Sequence, residues 1–305
     1  MAPTDGTEAP CPEDEHAALF HDDGFVTLDD AGFRVPADEV AALRSAILRR
    51  YDALLRHAEE RGVDLSKPEN AETIAGFYVR RGGRVDMQLS PCWGADGKAV
   101  EMPRAGHVAL EAAAVDVEQL RRLERHWRDV VAAIFKRTPD DGGRAEFFLE
   151  YIGCVVARPG DEDQNWHLDG VHRNLRRHEP ADRLNVFVPL VDLSEDVGGT
   201  EMKKASQFHD DGRRGAAFAD YAHLESVTPL VQAGTPVIMD YRVWHRGLAN
   251  RSETLRPLLY FKYSRHAASL KRSAADESEA EAEADAEEKK EKKKKKKRVA
   301  LVQVS

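Results

Sequence analysis

Cysteine is scarce in this chain, and its distribution excludes a disulfide-stapled scaffold. Cys11, Cys92 and Cys154 lie far apart and are odd in number, so they give neither a disulfide framework nor the spacing of a zinc motif. Such sparse use of cysteine is typical of a reducing compartment. We therefore expect a cytoplasmic protein.

Long apolar runs are also missing. No stretch approaches the roughly 20 apolar residues that a membrane helix needs. The first residues, MAPTDGTEAPCPEDEHA, are acidic and contain no apolar core of a secretory signal. The sequence therefore predicts no membrane segment.

An excess of positive charge is absent as well. The 54 acidic residues outnumber the 45 Lys and Arg residues, and the formal net charge is -9. Nucleic-acid binding depends on neutralising phosphates with Lys and Arg, so we expect no nucleic-acid partner. One basic run begins at Lys292 and ends at Arg298. We interpret it as part of a solvated tail, and the alternative is a nuclear-localisation signal or a patch for anionic surfaces.

Composition divides the chain into three parts. Residues 1–15 are rich in proline and acidic residues and are predicted to be disordered. Residues 16–266 contain the periodic apolar patterns and form the predicted folded domain. Residues 267–305 consist of an acidic block followed by a basic block and form the predicted low-complexity tail.

Two long amphipathic helices are predicted before a series of strands. Apolar residues recur at helical spacing over residues 35–62 and again over residues 111–137. Residues 146–160, 184–193 and 255–264 have the apolar patterns of strands. Helices first and strands afterwards predict an α+β fold, in which the helices pack on an antiparallel double sheet.

A basic hairpin is predicted over residues 76–90, with two glycines in its turn. It carries Arg80, Arg81 and Arg84. We interpret these residues as solvated, because charged side chains mostly lie on exposed surface. The alternative is that they face a carboxylate or a phosphate group of a substrate.

The motif QNWHLDG, residues 164–170, carries a candidate metal site. His167 and Asp169 are two residues apart, and on an extended strand that spacing puts both side chains on one face. A third ligand is expected from elsewhere, and the best candidate is His245, which follows the apolar run PVIM. Two histidines and one carboxylate are the ligand set of non-heme Fe(II) oxygenases.

A candidate anion-binding residue lies eleven positions after His245. The intervening residues include ANRSET, which is rich in turn formers. The pattern predicts a strand, a reversal and a return strand that brings Arg256 back toward the metal. A guanidinium group matches a carboxylate with two parallel hydrogen bonds, so Arg256 would suit the far carboxylate of a dicarboxylate.

Taken in order, these residues resemble the phytanoyl-CoA dioxygenase family of Fe(II)- and 2-oxoglutarate-dependent oxygenases. The segment FHDDGFVTL, residues 20–28, is similar to that family's F-x-x-DGF-V-x-L opening, and GGTEMKKASQFH, residues 198–209, is similar to its GGT…GSH loop. Gln164 lies three residues before the metal histidine, as it often does in the family. The resemblance extends over roughly residues 18–266.

The resemblance implies a fold, a set of cofactors and a reaction. The fold would be a double-stranded β-helix, a cupin-like relative of the jelly roll, buttressed by the N-terminal helices. Fe(II) would bind His167, Asp169 and His245, with 2-oxoglutarate and O2 as co-substrates. The enzyme would hydroxylate a small-molecule metabolite, or alternatively desaturate it or close a ring, and release succinate and CO2. Halogenating relatives lack the carboxylate ligand, whereas this chain keeps it.

The resemblance also assigns further residues. Many family members carry a serine two residues after the distal histidine, where this chain has Gly247, so its contact to 2-oxoglutarate is assigned to Thr200 or Tyr151. The alternative for Tyr151 is a packed core residue. The substrate pocket is assigned to Gln164, Trp166 and His209.

Two other classes of function stay open at this point. A cupin-like hydrolase or isomerase could use Zn or Mn at the same three ligands, without needing Arg256. A catalytically silent family member could act as a binding protein through its charged tail. No motif identifies the substrate.

Overall fold

A computed structural model describes residues 11–63, 77–79, 84–100, 114–136, 147–170, 178–208 and 220–265. Within these residues the α-helices are α1 (Pro12–Asp23), α2 (Ala37–Glu60), α3 (Val117–Arg122) and α4 (Arg128–Lys136), and Leu123–His126 form a 3-10 helix. The strands are β1 (Phe25–Thr27), β2 (Phe77–Val79), β3 (Val85–Gln88), β4 (Cys92–Trp93), β5 (Ala99–Val100), β6 (Phe147–Ala157), β7 (Arg183–Pro189), β8 (Thr200–Lys203), β9 (Ser226–Val227), β10 (Val237–Asp240), β11 (His245–Gly247) and β12 (Arg256–Arg265). None of the described helices combines the length and apolar character that a membrane crossing requires.

Helix α1 begins earlier than the predicted domain. Pro12 occupies its first turn, followed by Glu13, Asp14 and Glu15. Proline is favourable at the first helical position, and acidic side chains are stabilised by the N-terminal end of the helix dipole. Residues 12–15 are therefore helical, not disordered as predicted. Residues 1–10 and the proposed tail, residues 267–305, lie outside the described residues.

Helix α2 has the predicted amphipathic pattern. Its buried positions recur every three or four residues: Val40, Leu43, Ile47, Tyr51, Leu54 and Ala58. The second predicted helix is wrong as a continuous element, because α3 and α4 are separated by the 3-10 helix. Trp127 follows that break and donates a 3.0 Å hydrogen bond to the Tyr263 hydroxyl of β12. The break turns the indole into the core, where it is almost fully buried.

Within the part of the chain that the structure describes, antiparallel strands form three sheets. The main sheet has seven strands in the order β1-β10-β7-β12-β6-β3-β2, a second sheet has the order β11-β8-β9, and β4 pairs with β5. All described pairings are antiparallel. The predicted α+β class with antiparallel sheets is confirmed, and the double-stranded β-helix stays a prediction.

Alternation along three central strands separates the core from the site. One set of side chains joins the helices in the main apolar cluster: Ile152, Cys154, Val156, Leu184, Val186, Val188, Leu259, Phe261 and Tyr263. The intervening residues face a cavity on the other side: Tyr151, Val155, Asn185, Phe187, Leu258, Tyr260 and Lys262. Strand side chains alternate with period two, so the same three strands build both the core and the wall of the site.

The predicted hairpin at residues 76–90 is confirmed in its strands, because β2 and β3 pair antiparallel with Val79 opposite Val85. Arg84 comes immediately before β3 and has 1% of its surface exposed. The interpretation of Arg84 as a solvated residue was therefore wrong. Arg80 and Arg81 lie outside the described residues.

Candidate active site

Backbone pairing brings the three predicted metal ligands together. His167 and His245 form an isolated antiparallel bridge in which each backbone N–H donates to the other's carbonyl over 3.0 Å. The backbone N–H of Asp169 donates to the Tyr241 carbonyl, also over 3.0 Å. The motif at residues 164–170 is thereby held against the segment that leads into β11. Candidate ligand atoms of the three side chains all lie within 4.8 Å of one another.

Hydrogen bonds fix the orientation of both imidazoles. Nδ1 of His167 lies 2.8 Å from the Asn165 carbonyl oxygen, and Nδ1 of His245 lies 2.9 Å from the Val243 carbonyl oxygen. A carbonyl oxygen accepts, so each Nδ1 carries the proton and each Nε2 keeps a lone pair. Metal-binding histidines are commonly held in this way.

The carboxylate is oriented from a neighbouring strand. Asn185 of β7 donates from Nδ2 to Oδ2 of Asp169 over 2.9 Å. The other oxygen, Oδ1, lies 3.7 Å from Nε2 of His245. Two imidazole nitrogens and one carboxylate oxygen thus face a common point, and this donor set fits the two-His, one-carboxylate arrangement that binds Fe(II).

A cavity of about 260 Å³ opens beside these ligands. Three cationic side chains line it: Arg84, Arg256 and Lys262. Aromatic side chains form much of the remaining wall: Tyr151, Phe187, Tyr241 and Tyr260. Such a combination of apolar walls and a few polar groups is typical of small-molecule sites, and here the polar groups favour an anion.

Arg256 is a buried cation of the cavity. It is 5% exposed, and its Nη1 donates to the carbonyls of Val197 and Leu248 over 2.9 and 3.1 Å. Among the described residues, no carboxylate lies within ion-pair distance of it. Burial, with a further contribution from the positive charge of Arg84, lowers its pKa to about 10. The group is still a cation at neutral pH.

Glycine at position 198 makes room for this arginine. Its φ of +75° lies in the left-handed region, which glycine adopts without steric cost. A Cβ there would overlap the Ala249 carbonyl and lie 2.6 Å from Nη1 of Arg256. The absence of a side chain at Gly198 therefore allows Arg256 to pack against the backbone of this segment.

The sequence of residues 20–258 matches the phytanoyl-CoA dioxygenase (PhyH) family. The chain belongs to this family. The match includes the three candidate metal ligands and Arg256, so the cluster and most of the cavity lining described above lie within the matched residues.

Solved structures with similar folds include non-heme enzymes that depend on α-ketoglutarate. The non-heme α-ketoglutarate-dependent epimerase SnoN from nogalamycin biosynthesis is 16% identical, with a TM-score of 0.52, covering 83% of this chain and 80% of SnoN. The non-heme α-ketoglutarate-dependent carbocyclase SnoK from the same biosynthesis is 16% identical, with a TM-score of 0.51 and coverages of 84% and 87%. AviO1 from Streptomyces viridochromogenes Tue57 is 18% identical, with a TM-score of 0.52 and coverages of 84% and 96%. At these identities the likeness concerns the fold.

The other residues assigned from the PhyH resemblance have different placements. Gln164, Thr200 and Tyr151 line the cavity. Trp166 is not among the described residues that line it, because it alternates with His167 and points away from the metal ligands. The charged ends of Lys203 and Arg246 lie 5.3 and 4.9 Å from the centre of its ring. His209 lies outside the described residues.

Sequence reasoning missed several residues of the PhyH site. Asn185, Tyr241 and Lys262 line the cavity, and none was proposed. Asn185 had a signal: it is a lone polar residue in the apolar run LNVFVPL and shares a strand face with Phe187. Tyr241 and Lys262 show no comparable local signal, because their positions follow from the pairing of distant strands.

Proposed function

We propose that this protein is an Fe(II)- and 2-oxoglutarate-dependent oxygenase that hydroxylates a small-molecule metabolite, with release of succinate and CO2. The proposed catalytic domain spans residues 16–266. One observation supports the proposal most strongly. A two-His, one-carboxylate donor set and a buried Arg256, which has no described carboxylate partner, face the same cavity.

His167, Asp169 and His245 would hold Fe(II) through Nε2, Oδ1 and Nε2. When bound, the metal supplies activation of O2 and a template for the 2-oxo acid. The protein's part is to keep the donors in place. The Nδ1 contacts restrict rotation of the imidazoles, and Asn185 holds the carboxylate, so the donors are oriented before the metal binds.

Arg256 would bind the distal carboxylate of 2-oxoglutarate. Its Nη1 is used by two backbone carbonyls, so the edge formed by Nε and Nη2 stays available for a bidentate contact. Thr200 lies directly opposite Gly247 in the pairing of β8 with β11, and its hydroxyl can contribute a further hydrogen bond. Tyr151 lines the same cavity and is proposed as another contact.

Gln164 would line the cavity and also hold the metal-ligand motif in position against β11. Its backbone N–H donates to the Gly247 carbonyl, and its Oε1 accepts from the Gly247 N–H, both over 2.9 Å. This two-way contact ties the start of the ligand motif to β11. The aromatic wall would exclude water from the reacting C–H bond and orient a substrate with apolar surface.

A hydrolase or isomerase with Zn or Mn at the same ligands is less well supported. Such an enzyme does not need a buried cation that binds a dicarboxylate. Here Arg256 is such a cation, and the absence of a side chain at Gly198 leaves the space that it occupies. SnoN and SnoK are described as an epimerase and a carbocyclase. Epimerisation or ring closure is therefore the main alternative outcome, and each would use the same metal and co-substrate.

The test is anaerobic addition of Fe(II) and then 2-oxoglutarate to the purified protein. A weak visible charge-transfer band of an Fe(II)–2-oxo acid chelate is expected, and it should be lost in Asp169→Ala and weakened in Arg256→Met. Metal binding without this band would reject the 2-oxoglutarate mechanism and favour a hydrolase or isomerase.

A second measurement separates hydroxylation from the other outcomes. Turnover with a mixture of metabolites under isotopically heavy O2 should produce succinate and a product that contains the heavy oxygen. Labelled succinate with no label in the metabolite product would instead support desaturation, ring closure or epimerisation.

A further inference from the structure

We propose that Lys262 binds an acidic group of the substrate, at the end of the cavity remote from Arg256, and that this protein therefore acts on a metabolite that carries a carboxylate. The inference rests on the proposed function and adds the chemical class of the substrate to it. Glu150 positions the ammonium group of Lys262 and makes the site selective for anions.

Lys262 and Arg256 lie at opposite ends of one strand face. Both belong to β12 and line the cavity, and the six residues of strand between them span about 20 Å. Lys262 is directly opposite Asn185 in the pairing of β12 with β7, and Asn185 holds the Asp169 carboxylate. A co-substrate that joins the metal ligands to Arg256 thus leaves Lys262 for a different ligand.

A break in the alternation of β6 brings a carboxylate to Lys262. Leu149 and Ile152 both belong to the main apolar cluster, although they are three residues apart and residues on one strand face are separated by even numbers. Glu150 and Tyr151 lie between them, are partly buried, and both approach Lys262. Irregularities of this kind redirect side chains next to active sites.

The ammonium group of Lys262 is held in place but keeps donors for a ligand. Its Nζ lies 3.1 Å from Oε1 of Glu150 and 5.2 Å from the ring centres of both Tyr151 and Tyr241. Oε2 of Glu150 accepts a 2.6 Å hydrogen bond from the Ser264 hydroxyl, which fixes the carboxylate. An ammonium group has three N–H donors, and within the described part of the chain Glu150 is its one ion-pair partner. The remaining donors are available to a ligand in the cavity.

A carboxylate is the group that suits this arrangement best. The Lys262 side chain is 14% exposed, and partly buried charges are screened much less by salt than exposed ones. Hydrogen bonds between charged groups are roughly twice as strong as those between neutral groups. A neutral acceptor competes poorly with Glu150 for the ammonium group, whereas a second carboxylate competes on equal terms. The ion pair therefore discriminates between an acid and its neutral analogue.

The experiment measures binding of matched acids and amides to the protein loaded with Fe(II) and saturated with 2-oxoglutarate, in the absence of O2. The probes are benzoate, phenylacetate, phenylpropionate, hexanoate and octanoate, each compared with its primary amide. Calorimetry gives the affinities, and persistence of the charge-transfer band shows that the co-substrate stays bound. At least one acid should bind, and it should bind about tenfold or more tightly than its amide.

Two variants should shift this preference in opposite directions. Lys262→Met should weaken the acid to the affinity of its amide, and Lys262→Arg should retain most of the preference because it keeps the charge. Glu150→Gln should strengthen acid binding by about three- to tenfold, because the competing carboxylate is gone. None of the three variants should change the affinity for 2-oxoglutarate, which binds at the other end of the cavity.

Lys204 provides a matched control. Its Nζ lies 3.1 Å from Oδ2 of Asp23, the same separation as in the pair of Lys262 with Glu150, and Lys204 is not among the described residues that line the cavity. Lys204→Met should leave the ratio of acid to amide affinity unchanged.

Equal binding of acids and amides, or no binding of any of these acids, would overturn the inference while the charge-transfer band of the unaltered protein is present. A preference for the acid that survives in Lys262→Met would also overturn it. Loss of the preference in both Lys262→Met and Glu150→Gln would reduce the ion pair to a structural role.

Absence of the charge-transfer band in the unaltered protein would reject the proposed function itself and the inference with it. If Lys262→Met does not fold, Glu150→Gln carries the test, because a purely structural pair predicts unchanged or weaker acid binding in that variant. Acid binding that is not strengthened in Glu150→Gln would then contradict the inference.

Discussion

Asn185 donates a 2.9 Å hydrogen bond from Nδ2 to Oδ2 of Asp169, and this contact sets which carboxylate oxygen faces the histidines. Asn185 is 4% exposed and belongs to β7, a central strand of the main sheet. The orientation of Asp169 is therefore tied to a central strand of the main sheet in addition to the segment that carries Asp169.

Replacing Asn185 by Leu should weaken metal binding by about ten- to a hundredfold, because outer partners of metal ligands typically have effects of this size. Titration with Co(II), followed by its visible spectrum, measures the affinity. Phe187→Leu is the matched control, since Phe187 lines the same cavity and has no hydrogen bond to Asp169. Equal affinities in the protein and in Asn185→Leu would mean that the backbone bond of Asp169 to Tyr241 suffices.

Gly198→Ala should be much more destabilising than Gly160→Ala. Both glycines have a left-handed φ, +75° and +85°, and alanine in that region costs about 1–2 kcal/mol. A Cβ at residue 198 would also overlap the Ala249 carbonyl and crowd Arg256, whereas a Cβ at residue 160 would have no atom within 4 Å.

Chemical denaturation of the two variants measures this difference in the free energy of unfolding. Gly198→Ala should additionally lose affinity for 2-oxoglutarate, because Arg256 must move. Similar stabilities for the two variants would show that backbone strain alone, without the contact to Arg256, determines the role of residue 198.

The clustering of the candidate metal ligands could be predicted because much of the information is local in sequence. The spacing of His167 and Asp169 defines one strand face, and the reversal between His245 and Arg256 is marked by turn-forming residues. Short-range rules of this kind, together with the PhyH motifs, identified the four residues. In the structure all four residues line the same cavity.

The burial of Arg84 could not be predicted in the same way. Its contacts with Gly247 and Leu248 join residues 163 and 164 positions apart, and no local pattern encodes such a contact. The helix break before Trp127 has a similar origin, because the hydrogen bond of the indole to Tyr263 spans 136 positions. In both cases tertiary packing overrode the preference of the local sequence.

Glu124 should make the stability of the fold depend on pH. It is buried and accepts a 3.0 Å hydrogen bond from the Tyr263 hydroxyl, and burial raises its pKa above the ordinary value of 4.5. The folded state thus holds this proton more tightly than the unfolded state. The resulting stabilisation is fully present below pH 4.5 and is lost as the pH rises through the raised pKa.

Denaturation of Glu124→Gln across that pH range tests this sign. Glutamine keeps an acceptor for Tyr263 but cannot ionise, so the variant should gain stability relative to the protein as the pH rises above 4.5. Glu118→Gln on the exposed surface of α3 is the control. A difference between Glu124→Gln and the protein that does not change with pH would contradict a raised pKa for this carboxyl.

Metal binding should stabilise the fold, and His245 should be required for that effect. His245 pairs with His167 through two backbone hydrogen bonds, so a metal held by both imidazoles would strengthen the link between two distant segments. A ligand at a hundred times its dissociation constant adds about 2.7 kcal/mol, which corresponds to a rise of about 5–10 °C in Tm for a domain of this size.

Thermal unfolding with Co(II) and then with excess chelator measures this rise. His245→Ala lowers the starting Tm by itself, so the quantity to compare is the rise on adding metal, and it should vanish in the variant. The Trp166→Leu variant should keep it, because Trp166 alternates with the ligands and points away from them. A rise that survives in His245→Ala would place the stabilising metal elsewhere in the molecule and remove the main support for the proposed oxygenase.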